Sequence, residues 1–383
     1  MKYMGSKRFM LNNGLGELLR KQFKTAKRVV DPFCGAGSVV YFAAQNFNKE
    51  IIASDLQEYA AVLAGAIIGR TRALDQSLLE KEWLSPAERS MRRSTVYNEA
   101  VSLDEIVDIP KRVTASRDLC ASGFKNSIWS AYGGHYYSPK QAFIFDRLLR
   151  FLPTKKQHRD TCLAALIVAA SRCAASPGHT AQPFQPTDTA SRFIKISWGL
   201  DPIKSCRSAL EELCPLYAKV RGKTFVANAK DLIPTLKMGD LVILDPPYSG
   251  VQYSRFYHVL EAIARGHFGA VDGVGRYPAL TERPQSAFSN GGQALAALEE
   301  LIAGLAQREV RVIFTFPKGE CSNGLSGDLV KDTVSRWFNI SNDSRVHGHF
   351  STLGGNNRKK DNRSIKPARV KSEELLLLLE PKR

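Results

Sequence analysis

The chain has 383 residues, 54 of them Lys or Arg and 37 Asp or Glu, for a formal charge of +17. This length allows two or three units of roughly 100–200 residues, and a hydrophobic content of 44% excludes a largely disordered, collagen-like or low-complexity chain. The positive excess attracts polyanions, which makes nucleic acid the leading partner.

At the start of the chain Lys2, Lys7 and Arg8 are followed by Asn12, Asn13 and Glu17, not by the apolar segment of an export signal. The first elements then alternate. Glu17 to Phe23 reads as a short helix. Arg28-Val-Val-Asp31 is an apolar run ending in a carboxylate, followed by Pro32-Phe-Cys-Gly-Ala-Gly37, and Ser38 to Phe47 fits a helix. Glu50-Ile-Ile-Ala-Ser-Asp55 repeats the pattern of a buried strand ending in an acid. Strand, glycine turn, helix and strand form a βαβ unit, and fully apolar strands are what a parallel sheet covered on both faces requires.

From about Thr71 to Thr224 the rhythm changes. Glu80–Arg117 is charged and largely helical, and helices are expected at Pro139–Leu152 and Gln157–Ala175. The longest apolar stretch, Cys162 to Ala170, is far shorter than the roughly 18 residues needed to cross a bilayer. No membrane association and a cytoplasmic location are therefore expected. Tyr132-Gly-Gly-His-Tyr-Tyr-Ser138 suits either close approach to a phosphate chain with base stacking or a surface turn with aromatic anchors. Ser176–Thr187 has no regular pattern, and loops of that kind often line a site.

The α/β rhythm returns with Thr224-Phe-Val-Ala-Asn-Ala-Lys-Asp231, then Leu241-Val-Ile-Leu244 running into Asp245-Pro-Pro-Tyr248. Helices are expected at Phe256–Arg265 and Gln293–Arg308, and a buried strand at Val310–Phe316. Glu374-Leu-Leu-Leu-Leu-Leu379 reads equally as strand or helix. The simplest architecture is one α/β sheet domain in two sequence-separated parts, with a large helical insertion. The seven cysteines are scattered with no Cys-x-x-Cys, so they are expected to be reduced, and no metal site is expected.

Two segments carry chemistry. In Asp31–Gly37, glycines after a strand let a ligand approach the backbone while the next helix presents free N–H groups. Asp55, 20 residues after Gly35, stands where an acid accepts hydrogen bonds from ribose hydroxyls. The spacing lacks the third glycine of a dinucleotide fingerprint, and Asp31 would repel a pyrophosphate. A cationic or zwitterionic nucleoside such as S-adenosylmethionine suits two carboxylates better. In Asp245–Tyr248, two prolines cannot donate backbone hydrogen bonds and hold a rigid turn at the strand exit. A carboxylate followed by a fixed carbonyl offers two acceptors to one amino group, and Tyr248 offers a face to a flat base.

These blocks resemble S-adenosylmethionine-dependent DNA adenine N6-methyltransferases of the alpha group, the class that includes the Dam enzymes. Asp31–Gly37 is similar to the family's methionine-side cofactor loop, Ser54-Asp55-Leu56 to its ribose-binding segment, and Asp245–Tyr248 to its catalytic tetrapeptide. Lys2–Lys7 resembles the N-terminal block that helps hold the cofactor carboxylate. Asp231-Leu232 resembles an acid–apolar pair at the cofactor adenine, with Leu232 standing where the family prefers phenylalanine.

The resemblance implies a Rossmann-like methyltransferase sheet domain, discontinuous in sequence (residues 1–70 and 225–383), with a mostly helical insertion (71–224) as target-recognition region. It implies a catalytic set Asp245, Pro246, Pro247 and Tyr248. It implies cofactor contacts at Tyr3, Lys7, Asp31, Phe33, Cys34, Gly35, Gly37, Asp55, Leu56, Asp231 and Leu232, with Cys34 serving as packing. The expected reaction moves a methyl group from S-adenosylmethionine to the N6 amino group of a flipped-out adenine in double-stranded DNA.

Candidate nucleic-acid contacts are Tyr132, Tyr136 and Tyr137, Arg255 in an aromatic segment that either lines the base pocket or starts a helix, and Arg358, Lys359 and Lys360 in a basic run. A monomer is expected, with a separate restriction endonuclease as a candidate partner. Adenine methylation in RNA is the alternative, followed by an inactive nucleic-acid-binding module.

Overall fold

The computed structural model describes residues 7–349 and 371–382. Two compact units divide the chain. Among the described residues, one consists of Gln57–Thr224 and Ser254–Pro284, the other of 7–56, Phe225–Tyr253, 285–349 and 371–382.

The second unit holds a seven-stranded sheet. Its strands are β1 (Arg28–Asp31), β2 (Ile51–Asp55), β3 (Lys223–Val226), β4 (Asp240–Leu244), β5 (Arg311–Pro317), β6 (Phe338–His349) and β7 (Lys371–Pro381), in the order β3-β2-β1-β4-β5-β7-β6. β1 lies parallel between β2 and β4, with Val30 opposite Ile52 on one side and Val242 on the other, and β4 runs parallel to β5. The chain thus winds outward from β1 to β3, returns to β4, and continues the opposite way to β5. In open α/β sheets ligands bind beyond the carboxyl ends of the strands at such a reversal. This is the expected Rossmann-like sheet, with one strand, β7, inserted antiparallel between β5 and β6.

Val29, Val30, Ile51, Ile52, Leu241–Leu244 and Val312–Phe314 are all buried. Helix Ala294–Gln307 covers one face, packing Leu298, Leu301, Ile302 and Leu305 into the cluster formed by Val30, Val242, Leu244, Val312 and Phe314. Burial on both faces also decides the leucine run. Leu375 to Leu379 are all buried and pair with β5 on one side and β6 on the other. A strand with covered faces can be continuously apolar, so tertiary packing overrides the helical propensity of leucine.

The other unit is helical. Lys156–Cys173 is buried almost all round and packs on Pro202–Leu213 and Glu58–Ile68, which explains the apolar run from Cys162 to Ala170. The Trp83 indole donates to the Leu148 carbonyl at 2.8 Å. Pro139–Arg150 begins with a Ser138–Gln141 capping box and proline in its first turn. Ser176–Thr187 contains no helix or strand, and Thr180 ties it down by donating from backbone and hydroxyl to the Phe256 carbonyl at 2.7 and 2.8 Å. Among the described residues no helix is long and apolar enough to cross a membrane, and no group of three or more His, Cys, Asp or Glu is placed to hold a metal ion.

Candidate active site

At the end of β1 the chain turns sharply. Gly35 and Gly37 have φ of +46° and +76°, and Gly37 is the N-cap of helix Ser38–Asn46. The φ of +76° at Gly37 is one that L side chains rarely adopt, and a Cβ there would also push on the Tyr41 ring at 2.8 Å, so the backbone favours glycine. The Cys34 N–H donates to the Ser54 carbonyl at 3.0 Å, and the Gly35 N–H donates to Asp55 Oδ2 at 3.0 Å. Asp55 thus fastens the glycine turn to the end of β2. Phe33 is half-buried, edge-on to Phe288 at 5.5 Å, and Leu56 is likewise partly covered.

Asp31 is only 4% exposed. Burial pushes its carboxyl up to about 8, a hydrogen bond from the Phe33 N–H (3.2 Å) pulls it back, and the charges of Asp245 and Asp55 raise it further. Asp31, at the end of β1, therefore senses the carboxylates at the ends of the two neighbouring strands, Asp55 on β2 and Asp245 beyond β4.

Beyond β4, Asp245-Pro-Pro-Tyr248 is pinned from two sides. The buried Asn323 amide donates to the Pro247 carbonyl at 3.2 Å and to the Phe288 carbonyl at 3.0 Å, and the Gly250 N–H donates to the Ser322 hydroxyl at 2.9 Å. Among the described residues no donor is paired with the Pro246 carbonyl. Tyr248 is half-buried with its ring edge-on to Phe316, and burial holds its phenol above the ordinary range.

The Asp245 carboxylate is held at one oxygen. The Lys7 ammonium lies 3.0 Å from Oδ1, and the Thr315 hydroxyl donates to the same oxygen at 3.0 Å. Among the described residues nothing engages Oδ2, and the side chain keeps 24% exposure. Lys7 also lies 2.6 Å from Glu374 Oε2 on β7. Burial alone would lower the Lys7 ammonium, but Asp245 and Glu374 outweigh it and hold it well above the usual lysine range. Burial raises the Asp245 carboxyl and Glu374 adds to this, while Lys7 and Thr315 oppose both.

Thr315, Ser322, Asn323 and Glu374 were not singled out from the sequence. Ser322-Asn323-Gly324 carries a signal that could have found it, a polar turn soon after a buried strand. Lys7 was matched to the cofactor block, and its ammonium is in fact engaged by two carboxylates of the protein.

Other expected residues lie elsewhere. Tyr132, Tyr136 and Tyr137 are at most 1% exposed, so the expectation of base stacking there is corrected. The Tyr136 hydroxyl is shared between the Thr180 and Gly275 carbonyls at 2.6 and 2.9 Å, and Tyr137 donates to Ala170 at 3.1 Å. His258 packs edge-on against Tyr132 and Tyr136, and burial holds it down at about 4, hence neutral. Arg255 is exposed but donates to the Tyr277 hydroxyl at 3.0 Å. Cys34 is buried and its thiol is pushed well up by that burial, which fits packing and not nucleophilic chemistry. Leu232 is buried in the same cluster as Val30 and Ile52, while exposed Asp231 accepts from the Asn228 N–H in a capping box. Tyr3, Arg358, Lys359 and Lys360 lie outside the described residues.

Comparison with known proteins points the same way as the motifs. Residues 3–157 match the family model described as D12 class N6 adenine-specific DNA methyltransferase, which bears out the resemblance read from the motifs. The chain is 22% identical over 324 residues to modification methylase LlaI of Lactococcus lactis subsp. lactis, covering 82% of this chain and 46% of that protein. It is 31% identical over 85 residues to modification methylase StsI of Streptococcus sanguinis, covering 22% of this chain and 13% of that one. The chain thus aligns with less than half the length of either relative.

Proposed function

We propose that this protein transfers a methyl group from S-adenosylmethionine to the N6 amino group of an adenine in double-stranded DNA, as a sequence-specific modification enzyme of the cytoplasm. One observation carries the reading: Asp31, Asp55 and Asp245 gather at the carboxyl ends of adjacent strands at the sheet reversal, beside a rigid Pro-Pro turn. The donor set suits the cofactor. Asp31 is a desolvated carboxyl that an ammonium or sulfonium would ionise, and Asp55 stands where ribose hydroxyls are bound. Phe33 and Leu56, both partly exposed, supply apolar surface near the same strand ends, and buried Leu232 packs in the core behind them. Bound S-adenosylmethionine supplies an activated methyl group.

The chain's own residues do the rest. Asp245 Oδ2 and the Pro246 carbonyl, which have no partner among the described residues, would accept the two hydrogens of an exocyclic amino group, which fixes the direction of its lone pair. Lys7 and Thr315 occupy the other carboxylate oxygen and keep the group from rotating. Asn323 prevents the turn from relaxing, and Tyr248 offers a face for the flipped base. The helical unit is proposed as the target-recognition region, and a restriction endonuclease as a functional partner. This follows the modification methylases that the chain resembles.

The test uses labelled donor with duplex DNA and with RNA of matched sequence, followed by nucleoside analysis. Label in N6-methyladenine from duplex DNA is expected. Label appearing only with RNA, or only in cytosine, would overturn the reading.

A further inference from the structure

We propose that Glu374 is a positioning residue for methyl transfer: acting through Lys7, it fixes the place and net charge of the Asp245 carboxylate. The inference rests on the methyltransferase reading and deepens it. Glu374 lies on β7, the antiparallel strand wedged beside β5, with its Cα paired to Pro317, two residues past Thr315. It is 6% exposed and Lys7 is 4% exposed, so both ends of the 2.6 Å contact are shielded from water. Two elements far apart in sequence thus converge on Asp245 with one cation and one further anion.

The charge count gives this arrangement its function. Lys7 with Asp245 alone would be a neutral buried pair, and the whole ammonium would draw on the catalytic carboxylate. Glu374 takes the shorter contact (2.6 Å against 3.0 Å), and the cluster carries a net single negative charge. Methyl transfer forms an N–C bond at the amino nitrogen and breaks the donor's C–S bond. Positive charge leaves sulfur and collects on nitrogen until that nitrogen releases a proton to solvent. A fixed negative cluster beside the nitrogen stabilises that charge, and low-dielectric surroundings strengthen the effect. Among the described residues, the groups facing Asp245 are Lys7, Glu374, Tyr248, Asp31 and the Thr315 hydroxyl.

The experiment compares full-length wild type with Glu374→Gln. The expected loss is about 10- to 100-fold in kcat, with KM for donor and DNA held within about two-fold. The acid limb of the kcat profile should move to lower pH, because Asp245 loses a neighbouring anion. Carbon-13 NMR of the Asp245 carboxyl should show the same shift without any turnover, so it decides the proposal even if the wild type proves to act on another substrate. The double variant Lys7→Met/Glu374→Gln removes the cation that neutralises Asp245 in the single variant, returns the cluster to one net negative charge and should recover part of the lost kcat. If Glu374→Gln does not fold, Glu374→Asp keeps the charge at longer range, and a loss of about three- to ten-fold is expected with the limb moving the same way. An unmoved acid limb and carboxyl titration, whether or not kcat falls, would reduce Glu374 to an anchor for Lys7 and overturn the proposal.

Discussion

Pro32–Gly37 and Tyr132–Ser138 are both short loops of glycine and aromatic residues, yet the chain uses them in opposite ways. The first leaves a buried parallel strand and enters a helix N-terminus at the sheet reversal, with Asp31 before it and Asp55 holding its backbone. The second joins two helices, its three tyrosines are buried, and the Tyr136 and Tyr137 hydroxyls are committed to main-chain carbonyls. Glycine and aromatic content therefore does not mark a ligand surface. A strand exit with a desolvated acid is the feature on which the proposed cofactor site rests.

Substitutions can break this contrast. The largest effect belongs to Asp245→Ala, expected to lower kcat at least about 1000-fold while donor affinity, read by equilibrium dialysis, changes little. Next is Asn323→Ala, which frees the Pro247 carbonyl and should cost up to about 100-fold in kcat through misplacement of the turn. Asp55→Ala should weaken donor binding about 10- to 100-fold by calorimetry, since it removes a charged acceptor and unfastens Gly35. Tyr136→Phe is the counter-test. It should lower stability by about 1–3 kcal/mol in chemical denaturation and leave the kcat of folded protein unchanged; a specific loss of DNA affinity would restore the tyrosine loop as a contact surface.

The buried acid at the first loop makes a pH prediction of the same kind. Folding raises the Asp31 carboxyl to about 8, above its unfolded value, so the folded state holds the extra proton. Stability of the free protein should fall as pH rises from the ordinary carboxylate range toward about 8, and Asp31→Asn should flatten that slope in thermal melts. Donor affinity should move the other way, rising with pH as the carboxylate forms.

Much of the sheet unit was legible because its signals are local. Apolar runs ending in Asp31, Asp55 and Leu244–Asp245 announce buried parallel strands, and prolines and glycines mark where they stop. What holds the site was not legible. Lys7 meets Glu374 across 367 residues, and Thr315 reaches Asp245 from a neighbouring strand whose order only the fold determines. The leucine run of β7 carried no usable periodicity, because burial on two faces erases alternation. The tyrosine loop misled for a related reason, since aromatic hydroxyls satisfy buried carbonyls as readily as they face solvent.

The central claim is that adenine is modified at the Asp245 turn, and sequencing of modified bases in DNA from cells expressing the protein tests it most directly. Wild type should leave N6-methyladenine within one short motif, and cells expressing Asp245→Ala should leave none. Methylation persisting in that variant, or modification confined to cytosine in the wild type, would contradict the account.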